Sequence, residues 1–254
     1  MIGRKAVIGL SLLCALLICA FAAPSASAGT TAFTCVETKA KEGDFTDAHC
    51  GNQVKAGEGS YAHVTIKPNE ETQISLTNEK TASETKAAQP FNFSGTLFGA
   101  TIEFSCRTVS GSGTLTNEET KEKVMQTTGN AIIQATKCTV TKPAKCTVGE
   151  PFTWDTHFKT YEKEAEMGIE FTPKNGEQFG FWELLGSECT LKGMKTAIEG
   201  SFKGTIGGSA KGKGATIGLT EASTAGLTWG GKPYVLTGSM TPSMKEGNPI
   251  TFTT

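Results

Sequence analysis

Lys-Cys-Thr-Val occurs twice within Lys137–Val148, KCTVTKPAKCTV, around a Thr-Lys-Pro-Ala centre, and no other stretch limits the possible folds of this chain as much. Along an extended strand Cys138 and Cys146 would stand roughly 26 Å apart, so a bond between them requires the chain to reverse. The spacing predicts a disulfide-closed hairpin whose loop runs from Val140 to Ala144, with Pro143 where no ladder donor is needed.

Disulfides require an oxidising compartment, and the first 28 residues read as an export signal. Arg4 and Lys5 supply the positive start, Ala6 to Ala23 are almost continuously apolar, and Pro24-Ser25-Ala26-Ser27-Ala28 carries the small-residue cleavage pattern. An uncleaved anchor is the rival, because the apolar run is nearly long enough for a bilayer; the Pro24 break and the Ala26/Ala28 site favour cleavage. Bulky Ile18 argues against lipoprotein processing at Cys19. The mature chain is therefore expected to begin near Gly29, to be secreted, and to keep no membrane span.

Cys14 and Cys19 leave with the signal, so eight cysteines become six: Cys35, Cys50, Cys106, Cys138, Cys146 and Cys189. Three bridges are expected. Of the roughly 15 pairings open to six cysteines, the preferred set joins Cys35 to Cys50, Cys138 to Cys146 and, by elimination, Cys106 to Cys189. Metal binding by these thiols is disfavoured, since no Cys-x-x-Cys occurs and the nearest histidine, His49, adjoins only Cys50. Neither a metal nor a cofactor is expected.

Loss of the signal removes two cations and no acid, so 24 basic residues against 25 acidic become 22 against 25, and the formal charge falls from -1 to -3. One arginine, Arg107, remains, and lysine is scattered. The basic stripe and bidentate donors of a nucleic-acid binder are missing. Richness in Thr and Gly suits pleated sheets and tight turns.

Short alternating runs recur along the chain. Thr31 to Val36 leads into a polar loop returning to Cys50, in which Asp44, Asp47 and His49 crowd without the spacing of a cation loop. Tyr61 to Ile66 and Gln73 to Thr77 read as an antiparallel pair turning at Pro68-Asn69. Asn78 to Pro90 is polar, ends in proline and marks a soft division into an N-terminal disulfide-closed segment (29–90) and a main domain (91–254). Phe91 to Phe98, Ala100 to Arg107 and, after a Gly-Ser turn, Gly113 to Asn117 follow as strands. Asn175-Gly176, between GIEFTPK and EQFGFWELL, is the type I′ hairpin signal. The expected fold is all-β, an antiparallel sandwich-like architecture.

Chemistry-bearing groups are few. Phe152 to Phe158 (FTWDTHF) sets Trp154 on one strand face and Asp155 and His157 on the other, an orienter and a base that lack a nucleophile elbow. Tyr161 to Met167 (YEKEAEM) places Glu162, Glu164 and Glu166 on one strand face, where two carboxylates roughly 5 Å apart would suit a retaining glycosidase. This weakly resembles the Glu-x-Asp-x-x-Glu strand of laminarinase-type glycanases, with Glu164 in place of the Asp and Lys163 and Ala165 in place of bulky apolar residues. Gly207 to Lys213 matches the first seven positions of a phosphate-binding loop, but Gly214 stands where a Ser or Thr should hold magnesium. Trp229 and Tyr234, flanking Gly230-Gly231, are candidates for a sugar-stacking platform.

At TAFTCVETKAKEGDFTDAHC (31–50), SCRTVSGSGTLTN (105–117) and CTVTKPAKCTV (138–148), the chain resembles a family of uncharacterised, secreted, β-rich, disulfide-containing proteins of high-GC Gram-positive (actinobacterial) soil bacteria. The resemblance implies secretion and an all-β fold, and carries no activity or site residues. The leading expectation is a non-enzymatic secreted or surface-associated module for a glycan, cell-envelope or protein partner. A glycan hydrolase using the strand carboxylates and a purely structural extracellular protein are the alternatives.

Overall fold

The computed structural model describes residues 30–39, 42–48, 50, 52–78, 89–164, 166–207 and 214–253. The export signal (1–28), His49, most of the polar stretch before Pro90 and residues 208–213 of the glycine-rich segment lie outside the described residues. Among the described residues there are sixteen strands and no helix, hence none long and apolar enough to cross a membrane. The first eight are β1 (Thr31–Glu37), β2 (Tyr61–Thr65), β3 (Thr72–Thr77), β4 (Phe91–Leu97), β5 (Ala100–Glu119), β6 (Met125–Lys142), β7 (Thr147–Val148) and β8 (Phe152–Lys163). The rest are β9 (Glu166–Pro173), β10 (Gln178–Leu185), β11 (Lys195–Gly200), β12 (Phe202–Gly207), β13 (Thr216–Leu219), β14 (Leu227–Trp229), β15 (Lys232–Met244) and β16 (Ile250–Thr253).

β5 and β6 form the longest ladder, from Glu103 opposite Lys142 to Glu119 opposite Met125. The expected Gly-Ser turn inside this stretch does not exist; β5 runs straight through it. Gly111 and Gly113 are there for close approach, since a Cβ on Gly113 would meet the Asn130 carbonyl oxygen at 1.9 Å. From this ladder the antiparallel pairings run β6 to β8, β9, β12, β13 and β15, and from β15 through β3 back to β5. That circuit of eight strands is closed, which removes free edges as a barrel does. A second run, β14-β11-β10-β7, leaves the same β15 and brings β10 against β8. One sheet curling on itself encloses the core, in place of the two separate stacked sheets of a sandwich.

Alternation decides what lies inside. Ile74, Leu76, Leu115, Ile133, Phe158, Ile169, Phe171 and Ile217 point into the ring, and Phe93, Phe104, Trp154, Trp182 and Trp229 form an aromatic cluster beside them. Full burial of each such side chain stabilises by about 1.5–3 kcal/mol.

Two long strands are each flanked by two shorter ones in a single lane, and polar side chains fill the seams. Along one edge of β5, β4 ends its pairing at Cys106 and β3 begins at Ser110. Between them the Val109 N–H donates to Asn78 Oδ1 (2.7 Å), and the Asn78 N–H donates to the Val109 carbonyl (3.0 Å). Along β15, β14 and β13 leave Leu236 between them, and the Thr224 hydroxyl meets both its N–H (3.2 Å) and its carbonyl (3.0 Å). Both devices satisfy backbone groups that burial would otherwise penalise.

A third device docks the three-stranded sheet β16-β1-β2 onto the ring. Asn117, fully buried, accepts from the Ala32 N–H at Oδ1 (2.9 Å) and donates from Nδ2 to the carbonyls of Ala32 (2.9 Å) and Ile66 (2.7 Å). The Thr127 hydroxyl lies 2.7 Å from Oδ1 and 3.2 Å from the Thr30 carbonyl; its one proton goes to the nearer acceptor. Strands from both ends of the chain meet here, because β1 pairs with both β16 and β2.

Several expectations are corrected. Tyr61–Thr65 and Thr72–Thr77 are strands but not partners: β2 pairs with β1, and β3 with β5 and β15. Asn175-Gly176 closes no hairpin, since β9 lies between β8 and β12 whereas β10 lies between β11 and β7. The connection instead carries the chain across the core; Phe171, Phe179 and Trp182 are all buried, and Phe181 alone faces out. Cys35 bonds Cys50 as expected, but Cys138 bonds Cys106 and Cys146 bonds Cys189. Cys138 lies within the β5–β6 ladder directly opposite Cys106. It is held there by the Glu150 carboxylate, which accepts from the N–H groups of Lys137 (2.7 Å) and Cys138 (2.6 Å). The chain does reverse near Pro143, but toward β10 rather than back onto β6.

Two outcomes test this frame. Asn117→Ala leaves the Ala32 N–H and the Ile66 carbonyl buried without partners, while the Ala32 carbonyl keeps the Ile66 N–H (3.1 Å). Urea unfolding should show a loss of about 2 kcal/mol or more, against within about 0.5 kcal/mol for the outward Thr116→Ala. Non-reducing peptide mapping should recover Cys106 with Cys138 and Cys146 with Cys189; a Cys138–Cys146 peptide contradicts the β5–β6 register.

Candidate functional site

The carboxylates expected on one strand face are divided between two strands. β8 ends at Lys163, Glu164 adopts φ +54° in the connection, and β9 begins at Glu166. Glu162 lies opposite Met167 and Lys163 opposite Glu166. Directly opposed residues share a face and neighbours alternate, so Glu162 and Glu166 project from opposite sides of the ribbon. Glu164 and Glu166 do border a polar hollow of about 150 Å³ with Tyr161, Lys163, Met167, Gly168 and Thr205. There the Tyr161 phenol is raised above its ordinary pKa by burial first, then by the charges of Glu170 and Glu166, while the Lys203 ammonium stands 5.3 Å from its ring centre.

Asp155 and His157 face outward from β8, opposite the buried Trp154, as alternation predicts. Each engages other partners: Asp155 meets Lys174 (4.0 Å) and accepts from Asn175 Nδ2 (3.3 Å), and His157 Nδ1 lies 3.3 Å from Asn130 Oδ1. All six cysteines of the described chain are in disulfides, so none supplies a thiolate. Asp44 and Asp47 serve their own loop, accepting from the N–H groups of Gly57 (3.3 Å) and Asn52 (2.7 Å). Among the described residues no three His, Cys, Asp or Glu side chains gather as a metal site.

Trp229 and Tyr234 form no exposed platform. They are 0% and 2% exposed, stacked on each other at 4.3 Å, with Trp182 at 4.8 Å from Trp229. Burial pushes the Tyr234 phenol far above its ordinary pKa, against the smaller opposing effect of the adjacent Trp229. The Gly230-Gly231 turn turns both rings inward because β15 continues into the core cluster rather than along its rim.

Two outward features take their place. The first is an uncharged polar face across four adjacent strands. In strand register, Thr241 of β15, Thr77 of β3, Ser110 of β5 and Gln134 of β6 form one row, and Ser243, Ser75, Ser112 and Ile132 the next. Gln73, Thr114 and Asn130 form a third row, and Thr116 and Thr128 a fourth. All are exposed or half-buried, and none is ionisable. Charge borders the face at β8, with Asp155 opposite Ile132 and Lys159 opposite Thr128, and at one end of the rows, where Glu118 follows Thr116 on β5 and the Lys245 N–H donates to the Gln73 carbonyl (3.2 Å). Strands about 4.8 Å apart, with outward side chains every ~6.7 Å along each, make a regular grid of hydroxyl and amide groups interrupted by the exposed Ile132.

The second feature is a groove of about 710 Å³ where β4 and β15 run side by side beneath the turn carrying Glu221 and Ala225. Phe98, at the tip of the β4–β5 hairpin, stands at its border and is 84% exposed. Period-two spacing of Thr and Ser in Thr108–Thr116 signals one column of the grid in the sequence; the neighbouring columns come from segments far apart in the chain. No family model, curated protein or solved structure matches this chain.

His63, on β2, stacks on Phe33 with ring centres 4.8 Å apart and reaches Thr251 Oγ1 at 2.7 Å through Nε2. Partial burial lowers its pKa below the usual 6.5. The unfolded chain therefore takes up the proton first, and the contribution of His63 is complete above about pH 6.5 and lost as pH falls through the depressed value. The urea midpoint should drop between about pH 7 and about pH 5 in the parent protein, and less steeply in His63→Gln.

Proposed function

We propose that this chain is a secreted or cell-surface-associated, non-enzymatic β-protein that binds a glycan or protein partner. The observation that carries the reading is the uncharged grid over β15, β3, β5 and β6. Hydroxyl and amide groups each donate and accept, so they match a ligand of the same character, and covering them desolvates no full charge. Closed pairing and three disulfides hold the grid in place. The separation of Glu162 from Glu166, and the distinct partners of Asp155 and His157, support a binding rather than a hydrolytic role. The apolar leader with its small-residue cleavage pattern, together with the disulfides, supports export, in keeping with the resemblance to secreted actinobacterial proteins.

The test uses the chain from Gly29 onward against immobilised neutral and acidic glycans and bacterial envelope fractions. Binding in the micromolar range is expected, falling at least tenfold in the double variant Ser112→Lys/Thr114→Lys, which sets two ammonium groups into the grid while the fold is retained. Absence of binding to every surface at about 100 μM overturns the reading.

A further inference from the structure

The hairpin tip between β4 and β5 places the wrong residue, by local rules, at its most conspicuous point. Leu97 pairs with Ala100, so Phe98 and Gly99 alone form the turn, with φ +50° and +80°. A two-residue turn with both φ values positive favours Asn or Asp followed by Gly. A bulky side chain in the left-handed region is disfavoured, and an aromatic ring left in water forgoes the gain of burial. Two local penalties fall on one residue, and unfavourable backbone states persist where function selects them.

What adjoins Phe98 fits a particular occupant. The groove has an apolar strip from Phe98 to Val235, with the hydroxyls of Ser94 and Thr96 beside it. Its two charged groups are of opposite sign, the carboxylate of Glu221 and the ammonium of Lys232, so the rim as a whole is neutral. A strongly charged peptide or an acidic polysaccharide would meet one repulsive and one attractive group. An uncharged sugar has what the groove lacks: hydroxyls that donate to Glu221 and accept from Lys232, and a ring face of C–H groups that lies on an aromatic plane. The strip also runs along β15 toward Thr241 and Ser243, the edge of the uncharged grid.

We infer that this groove is a subsite for a pyranose unit of a neutral glycan, with Phe98 as its stacking residue and Glu221 and Lys232 as its hydrogen-bonding pair. The inference rests on the reading of the chain as a binding module and names the ligand class and the residue that grips it.

The experiment measures affinity of the chain from Gly29 onward for neutral pentasaccharides of β-1,4-glucose, α-1,4-glucose and β-1,4-N-acetylglucosamine by calorimetry, in parallel with the envelope fractions. Phe98→Asn should weaken the best pentasaccharide at least tenfold while raising Tm by roughly 2 °C or more, because Asn suits the turn. Phe98→Trp should keep affinity within about threefold, and the fluorescence of its exposed indole should shift to the blue on binding. A structural role alone would move Tm without separating Asn from Trp in affinity. If the pentasaccharides bind equally well to the parent and Phe98→Asn, and binding is lost only with lysines in the grid, the subsite is overturned and the module reading stands. If envelope fractions or proteins bind and no neutral sugar does, the ligand class is overturned. If nothing binds, both readings fail together.

Discussion

The ladder between β5 and β6 is the constraint on which the other elements depend. It is the longest pairing in the molecule, and its two faces are used along its full length: Ile102, Phe104, Val109, Leu115, Ala131, Ile133 and Ala135 inward, the hydroxyl and amide rows outward. Cys106–Cys138 ties it near one end, and Asn117 with Thr127 anchors the N-terminal sheet at the other. A shift of one residue in this register would exchange the faces, exposing the core side chains and burying the polar rows. The glycines at 111 and 113 let the strands approach where a Cβ would collide with β6.

Closure around that ladder is achieved with strands too short to span it. β3 and β4 share one edge of β5, and β13 and β14 share one edge of β15. Each junction would leave a buried peptide group unpaired, and in each a side chain supplies the missing half: Asn78 for Val109, Thr224 for Leu236. Asn117 does the same for Ala32 at the third junction. An amide is well suited to this, since its one carbonyl and one NH₂ reproduce the acceptor and donors of a peptide. The seams are therefore the points at which a single substitution would cost more than its volume suggests.

The functional surface follows from the same arrangement. Residues whose chemistry stood out in the sequence were dispersed or absorbed once the strands paired: the Glu162–Glu166 run bent into a hairpin, Trp229 and Tyr234 sank into the core, and Asp155 and His157 turned to separate neighbours. Residues with no individual distinction, serines and threonines on β15, β3 and β5 and mainly amides on β6, came together because antiparallel register aligned them. Phe98 gained its prominence from the turn it occupies rather than from any motif.

By itself the sequence determined the local character of the chain. Alternation of apolar and polar residues placed many of the strands, though not β7, β11 or β12, assigned Trp154 to the interior and Asp155 and His157 to the exterior, and the number of cysteines implied three bridges, of which the short Cys35–Cys50 loop was correctly paired. These are properties of contiguous residues, set by the period of the pleat and the length of a loop. Only the tertiary structure decided which strands are neighbours, and with that the remaining two disulfides, the fate of Asn175-Gly176, the division of the glutamates and the existence of an uncharged face. Pairing partners are chosen by burial of a shared core and by closure of the sheet, which sum over segments more than a hundred residues apart, such as β3 and β15. No local pattern records that sum.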